Sequence, residues 1–262
     1  KFYQLSKDDF DTYLAGIKNR EDTRRFLGDW GREYFYYGEK EIDELILKIN
    51  KLQWEFDQLM DSFSEFGRGQ LLISFFIDEI EATNLIENIH STRHDIYYCM
   101  KQVSEYKNTK LTSIVSSYRL LLEKGGVNIQ THQDIRECYE RLLGSLIEKE
   151  DKPDGRFYRK ESVFISDGIK NVHTGIKGED VEEAMSEFIE LNQSSMNVFE
   201  KILIAHFLIE TIHPYYDGNG RLGRYLLANQ LYLETNSYTS FLMSKAFSNH
   251  KSQYYKAFKE AR

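Results

Sequence analysis

Apolar positions recur at helical spacing over most of the chain. Residues 40–61 carry Ile42, Leu45, Ile46, Ile49, Leu52, Phe56, Leu59 and Met60, one face of a long amphipathic helix. Gly67 and Gly69 interrupt the pattern. A second helix is predicted from about Leu71, on Ile73, Phe76, Ile77 and Ile80. Further helices are read over 94–106, over 110–123 and over 133–148, the last on Ile135, Cys138, Tyr139, Leu142, Leu146 and Ile147. Gly125-Gly126 closes the helix that precedes them. Between 151 and 178 the texture changes. Pro153, Gly155, Gly168, Gly175 and Gly178 break up the pattern, and Ser162-Val163-Phe164-Ile165-Ser166 is short and β-prone, which predicts a small hairpin. Helical spacing returns over 179–192 and 197–212. After a dense glycine cluster it resumes over 219–234. No repeat or low-complexity tract interrupts this order. The prediction is an all-α protein with a small β-hairpin flap. An N-terminal helical region over 1–68 precedes a main domain over 69–262.

Composition narrows the class. Only two prolines occur, Pro153 and Pro214, so long helices are unbroken and the two exceptions mark loops. Mean hydropathy is -0.56 and no long apolar run occurs, so no membrane-spanning helix is expected. Lys1-Phe2-Tyr3-Gln4 does not lead into an apolar signal core, and the absence of an initial Met suggests a trimmed chain. A cytoplasmic location is expected. Cys99 and Cys138 lack CxxC spacing and read as reduced thiols rather than a disulfide or zinc site. The net charge of -8 argues against a general nucleic-acid binder.

One segment concentrates chemistry: His213-Pro214-Tyr215-Tyr216-Asp217-Gly218-Asn219-Gly220-Arg221-Leu222-Gly223-Arg224. Pro214 disfavours helical geometry at His213, so the preceding helix ends near Ile212. A glycine-bearing turn that opens a new helix presents free backbone N–H groups, which favour phosphate. Arg221 and Arg224 oppose the helix dipole, a sign that an external anion offsets their charge. Asp217 beside a polyphosphate calls for a bridging Mg²⁺. His213 is the group suited to take a proton near neutral pH. The plainer alternative is a surface turn with a capping Asn.

The segment resembles the Fic signature. That signature runs His, any residue, Phe, any residue, Asp or Glu, Gly, Asn, Gly or Lys, two variable positions, Arg. Tyr215 stands where Phe is usual, and its buried hydroxyl would need a partner. The resemblance covers roughly residues 70–262. It implies His213 as general base for a target hydroxyl and Asp217 as Mg²⁺ ligand. It implies Gly218, Asn219 and Gly220 as the site of the α- and β-phosphates, with Arg221 and Arg224 on the remaining phosphates. Doc-type relatives, which transfer phosphate, carry Lys where this chain has Gly220. That difference favours AMP transfer from ATP to a Ser, Thr or Tyr hydroxyl of a target protein. Two alternatives are a hydrolase that removes AMP at the same site and a non-catalytic nucleotide-binding regulator.

Two further stretches extend the resemblance. Thr83-Asn84-Leu85-Ile86-Glu87-Asn88 is similar to the family's inhibitory motif, in which a helix (here about 71–90) sets its Glu against the second signature Arg. This implies an inhibitory role for Thr83, Glu87 and Asn88, with Glu87 paired to Arg224. The same Glu serves AMP removal in some members. The stretch over 155–176 resembles the flap that docks an extended target segment, with Val163, Phe164 and Ile165 on one arm and Val172 and His173 on the other. A plain connecting hairpin is the alternative. Asn249, His250, Tyr254 and Tyr255 resemble the helix that closes the adenine pocket, and core packing would explain the tyrosines equally well. His206 reads as a packed histidine rather than one of a metal pair. Family members often form homodimers, so pairing is a further expectation.

Overall fold

The computed structural model describes residues 39–101, 110–166, 171–235 and 237–261. Before them it describes residues 8, 12 and 15–16 and the strands β1 (Thr23–Phe26) and β2 (Tyr34–Tyr37). The expected helical residues 102–106 and Gly168 lie outside these. The chain divides into two compact units, Lys1–Leu52 and Gln53–Arg262. The break falls upstream of the boundary expected at residue 68.

In the first unit β1 and β2 pair antiparallel, with Thr23 opposite Tyr37 and Phe26 opposite Tyr34. This ribbon adds two strands to the region expected to be helical. Its signal is the run Tyr34-Phe35-Tyr36-Tyr37, since aromatic residues favour the pleated surface. Helix α1 (Lys40–Ser62) matches the predicted span, with Glu41 and Asp43 in its first turn where acidic groups suit the helix dipole.

The second unit holds the remaining elements. Helix α2 (Glu65–Ile86) starts earlier than Leu71. The Ser64 side chain accepts a hydrogen bond from Gly67 N–H at 3.2 Å and caps the helix. The two glycines therefore lie inside its first turns, at about 1 kcal/mol each. Burial of Phe76, Ile77, Ile80 and Ile86 offsets that cost. The helix also ends at Ile86, short of the expected 90. Asn88 takes a left-handed conformation (φ 58°). Ile89 N–H donates to Asn84 O at 2.9 Å, and Asn88 N–H to Leu85 O at 3.0 Å. This is a Schellman ending, and it accounts for an Asn after Glu87.

Helices α3 (Arg93–Lys101), α4 (Lys110–Lys124) and α5 (His132–Leu143) follow. A reciprocal Thr131–Asp134 capping box starts α5. Helix α5 stops at Leu143 rather than near 148. The apolar period carries on into a turn, where Ile147 stays buried, so the hydrophobic signal outlasts the helix. The hairpin is β3 (Phe164–Ser166) against β4 (Asn171–Thr174), antiparallel, with Phe164 opposite Thr174 and Ile165 opposite His173. The register breaks between Ile165 and Ser166. The side chains of Ile165, Val172 and His173 lie outside the described residues.

Helix α6 (Val181–Asn192) leads to the central pair α7 (Val198–Ile212) and α8 (Asn219–Thr235). These two pack against each other. Ile202, Leu208, Ile209 and Ile212 of α7 and Leu222, Tyr225, Leu226 and Leu231 of α8 are buried. Each such side chain contributes roughly 1.5–3 kcal/mol of burial. Helices α9 (Met243–Asn249) and α10 (Lys251–Ala261) close the chain, and α9 packs on α2. No described helix is long and apolar enough to cross a membrane. Cys99 and Cys138 are buried and not disulfide-bonded.

Candidate active site

The turn between α7 and α8 holds two residues of positive φ, His213 and Gly218. His213 caps α7 in the left-handed conformation (φ 55°, ψ 63°), and its N–H donates to Ile209 O at 3.0 Å. A non-glycine residue in this region costs about 1–3 kcal/mol and persists only when its surroundings over-determine it. The predicted helix end at Ile212 holds. Arg159, from the glycine-rich loop before the hairpin, donates to His213 O from Nε at 2.8 Å.

The rest of the turn is pinned from within. Tyr215 is fully buried, and its ring stacks on Tyr139 with centroids 3.6 Å apart. The hydroxyl partner expected for Tyr215 is not found among the described residues. Asn219 accepts from Tyr215 N–H at 2.9 Å and donates to Tyr215 O at 2.8 Å. Its side chain therefore holds the turn together. Gly218 has φ +84°, and an added Cβ would lie 2.5 Å from Leu143 Cδ1. Conformation and space both demand glycine there. Asp217 is half-exposed. Its Oδ1 accepts from Gly218 N–H at 2.6 Å and its Oδ2 faces Arg221 Nη2 at 3.3 Å. Arg221 is buried, and its Nε has no hydrogen-bond partner among the described residues. An orphaned guanidinium N–H beside the first turn of α8 fits an incoming anion.

Arg224 is fully buried and already engaged. Its Nε donates to Thr83 Oγ1 at 2.9 Å, and Nη2 donates to Thr83 O at 3.2 Å and to Glu87 Oε1 at 2.6 Å. Burial alone would depress the guanidinium pKa, but Glu87 raises it above its ordinary value. Gly220 leaves room for this contact, because a Cβ there would lie 2.3 Å from Glu87 Oε1. Lys251 of α10 reaches back to the α2 terminus, donating to Ile86 O at 2.8 Å. The α2 motif and the second signature arginine are thus brought together across 137 residues.

Glu79 lies one helical turn before Thr83, fully buried. Burial pushes its carboxyl up to about 7, despite the hydrogen bond that Ser244 N–H donates to Oε2 at 2.7 Å. Of the residues assigned to the adenine pocket, Tyr255 is 48 % exposed. Burial raises its hydroxyl pKa, and the charge of Glu87 adds to that shift while Arg224 opposes it. Tyr254 faces inward, its hydroxyl 2.9 Å from His206 Nε2 and its ring stacked on Phe247. His206 is accordingly a packed residue. Asn249 and His250 are exposed where α9 ends. Of the flap residues, Phe164 is exposed and Val163 half-buried.

Among the described residues no group of three or more His, Cys, Asp and Glu forms a metal cage. A single half-exposed carboxylate, Asp217, fits Mg²⁺ that arrives on a nucleotide. Mg²⁺ is commonly held by one or two carboxylates plus substrate phosphates. Sequence reasoning missed Arg159 and Glu79. Arg159 carries only a faint signal, as the arginine of a glycine-rich loop. Glu79 carries a clearer one, since it falls between the buried positions Phe76 and Ile80.

Residues 129–231 match the model of the Fic/DOC family. A probable protein adenylyltransferase from Aquifex aeolicus is 41% identical over 70 residues, which is 27% of this chain and 20% of that protein. The protein adenylyltransferase Fic of Nematostella vectensis is 34% identical over 101 residues, 37% of this chain and 22% of that protein. The chain thus matches about a fifth of the length of these curated relatives. In fold it is similar to a Fic family protein from Desulfovibrio desulfuricans, with a TM-score of 0.70 at 21% identity, covering 86% of this chain and 68% of that one. It is also similar to Fic-1 (residues 134–508) from C. elegans, with a TM-score of 0.54 at 17% identity, covering 85% and 72%. The signature turn lies within the stretch at residues 129–231 that matches the Fic/DOC family model, and the helical fold is similar to that of the Fic family structures.

Proposed function

We propose that this protein transfers AMP from ATP to a Ser, Thr or Tyr hydroxyl of a target protein. The observation that carries the reading is the α7–α8 turn. It holds a strained His213, a half-exposed Asp217 and a buried Arg221 with an orphaned N–H at the first turn of a helix. The relatives named as protein adenylyltransferases support it.

In this reading His213 takes the proton from the target hydroxyl. The hydroxyl oxygen forms a bond to the α-phosphorus of ATP, and the bond from that phosphorus to the pyrophosphate oxygen breaks. Pyrophosphate leaves with the bonding pair. The backbone N–H groups of Gly218–Gly220, with Arg221, hold the phosphates at the α8 N-terminus. Mg²⁺ on Asp217 supplies charge neutralisation to the phosphate oxygens when bound with the nucleotide. The exposed β3–β4 hairpin offers a strand edge for an extended target segment.

The resting protein is held back by Glu87. Its bond to Arg224 occupies a guanidinium that would otherwise contact the terminal phosphate. The test is incubation with labelled ATP in a Glu87→Gly background, with and without His213→Ala. The expected result is label in the first and none in the second, with ATP binding kept in both. Equal labelling would remove His213 from the role of base.

A further inference from the structure

We propose that Arg159 is the positioning residue that holds His213 in place and ties it to the base of the β3–β4 hairpin. The inference rests on reading His213 as the base. Three consecutive carbonyls of the turn receive hydrogen bonds from this one residue. Nη2 donates to Ile212 O at 3.1 Å, Nε to His213 O at 2.8 Å, and the backbone N–H to Pro214 O at 3.1 Å. The same guanidinium reaches both ends of the hairpin, donating from Nη2 to Ile176 O at 2.7 Å and from Nη1 to Glu161 O.

Arg159 is 2% exposed, and among the described residues its hydrogen-bond partners are all carbonyls. Burying a cation without a carboxylate is costly. Burial lowers its pKa only to about 10, so it stays charged at neutral pH. An apolar side chain of similar volume would fill the space without that cost. What it would not supply is a planar fork of donors, which suits several fixed carbonyls at once. The α7 C-terminus, where carbonyls gather partial negative charge, is a favourable place for such a cation. His213 sits there in its left-handed conformation, ahead of a proline. Arg159 supplies over-determination of the kind that conformation needs. The hairpin base and the general base therefore share one support, so a target segment on the hairpin meets a hydroxyl-activating group in fixed register with it.

The experiment uses the full chain carrying Arg159→Lys or Arg159→Gln, each alone and with Glu87→Gly. The first readout is the imidazole ring resonance of His213 in a proton–carbon correlation spectrum, assigned by its loss in His213→Ala. Both variants are expected to shift or split this signal while leaving that of the packed His206 unchanged. The second readout is kinetic. In the Glu87→Gly background kcat is expected to fall about 100-fold, the usual effect of an ångström-scale misplacement, with KM for ATP within about threefold because the phosphate site is untouched. An unmoved His213 resonance in folded variants overturns the proposal, as does a fall expressed equally in KM and kcat. If the Glu87→Gly parent labels nothing, the adenylyltransferase reading fails while the resonance still decides the role of Arg159. Should both variants fail to fold, Gly175→Ala replaces them. Its Cβ would lie 2.8 Å from Val163 Cγ2 and 3.0 Å from Arg159 Nη2, crowding the guanidinium with its charge intact, and 3.4 Å from His213 Cβ, an ordinary contact. An unmoved His213 signal there is equally fatal.

Discussion

Replacing Glu87 by Gly tests the proposed brake. Arg224 is 2% exposed and Glu87 34%, and their contact is 2.6 Å. A hydrogen bond to a charged group contributes about 1.5–3 kcal/mol net, and the exposure of Glu87 favours the lower half. Taking about 2 kcal/mol, the state with Arg224 free for phosphate is populated at a few per cent, and apparent ATP affinity is reduced about thirtyfold. Glu87→Gly is therefore expected to tighten Mg²⁺–ATP binding between about ten- and a hundredfold in titration calorimetry. The same change leaves Arg224 buried without the ion pair to Glu87, while its hydrogen bonds to Thr83 remain. Without nucleotide the variant is expected to melt below wild type, because an uncompensated buried charge is destabilising. Saturating ATP is expected to raise its Tm more than that of wild type, since phosphate replaces the lost carboxylate. Equal affinities within about threefold, together with equal Tm gains on adding ATP, would refute this reasoning.

Two further outcomes follow from buried groups. Tyr215→Phe removes a hydroxyl with no partner among the described residues and keeps the ring on Tyr139, so urea unfolding is expected to show a gain of about 1 kcal/mol; a loss would mean that the hydroxyl is hydrogen-bonded in solution. Glu79, raised by burial from 4.5 to about 7, holds a proton in the folded state that the unfolded chain releases, so its contribution is full below about pH 4.5 and lost as pH rises to about 7, a span of about 3 kcal/mol. Urea unfolding at pH 5 and pH 7.5 is expected to give a smaller loss for Glu79→Gln than for wild type, and identical slopes would contradict the burial argument.

The signature turn was legible because its parts are consecutive. A proline, three glycines, an acid and two arginines within twelve residues constrain one another before any fold is known. The helices were legible from periodicity, but the start of α2 and the end of α5 were not. The start of α2 at Glu65 depends on a side-chain cap at Ser64, and the end of α5 at Leu143 hides behind the buried Ile147. The pairing of Glu87 with Arg224 came from resemblance alone, since nothing local in either helix requires it. Its physical cause is the Schellman ending at Asn88, which stops α2 where Glu87 meets α8. Arg159 escaped because its role is written in backbone carbonyls, which carry no residue identity. Glu79 looked like one more charge on a helix until burial set it apart.

The claim that this turn performs AMP transfer is tested most directly by intact-mass measurement of the Glu87→Gly protein after incubation with Mg²⁺ and each nucleoside triphosphate in turn. The account predicts a gain of one AMP group with ATP, and its absence when His213→Ala is added. A gain of a single phosphate, a gain with another nucleotide in preference to ATP, or no gain despite tight ATP binding would contradict it.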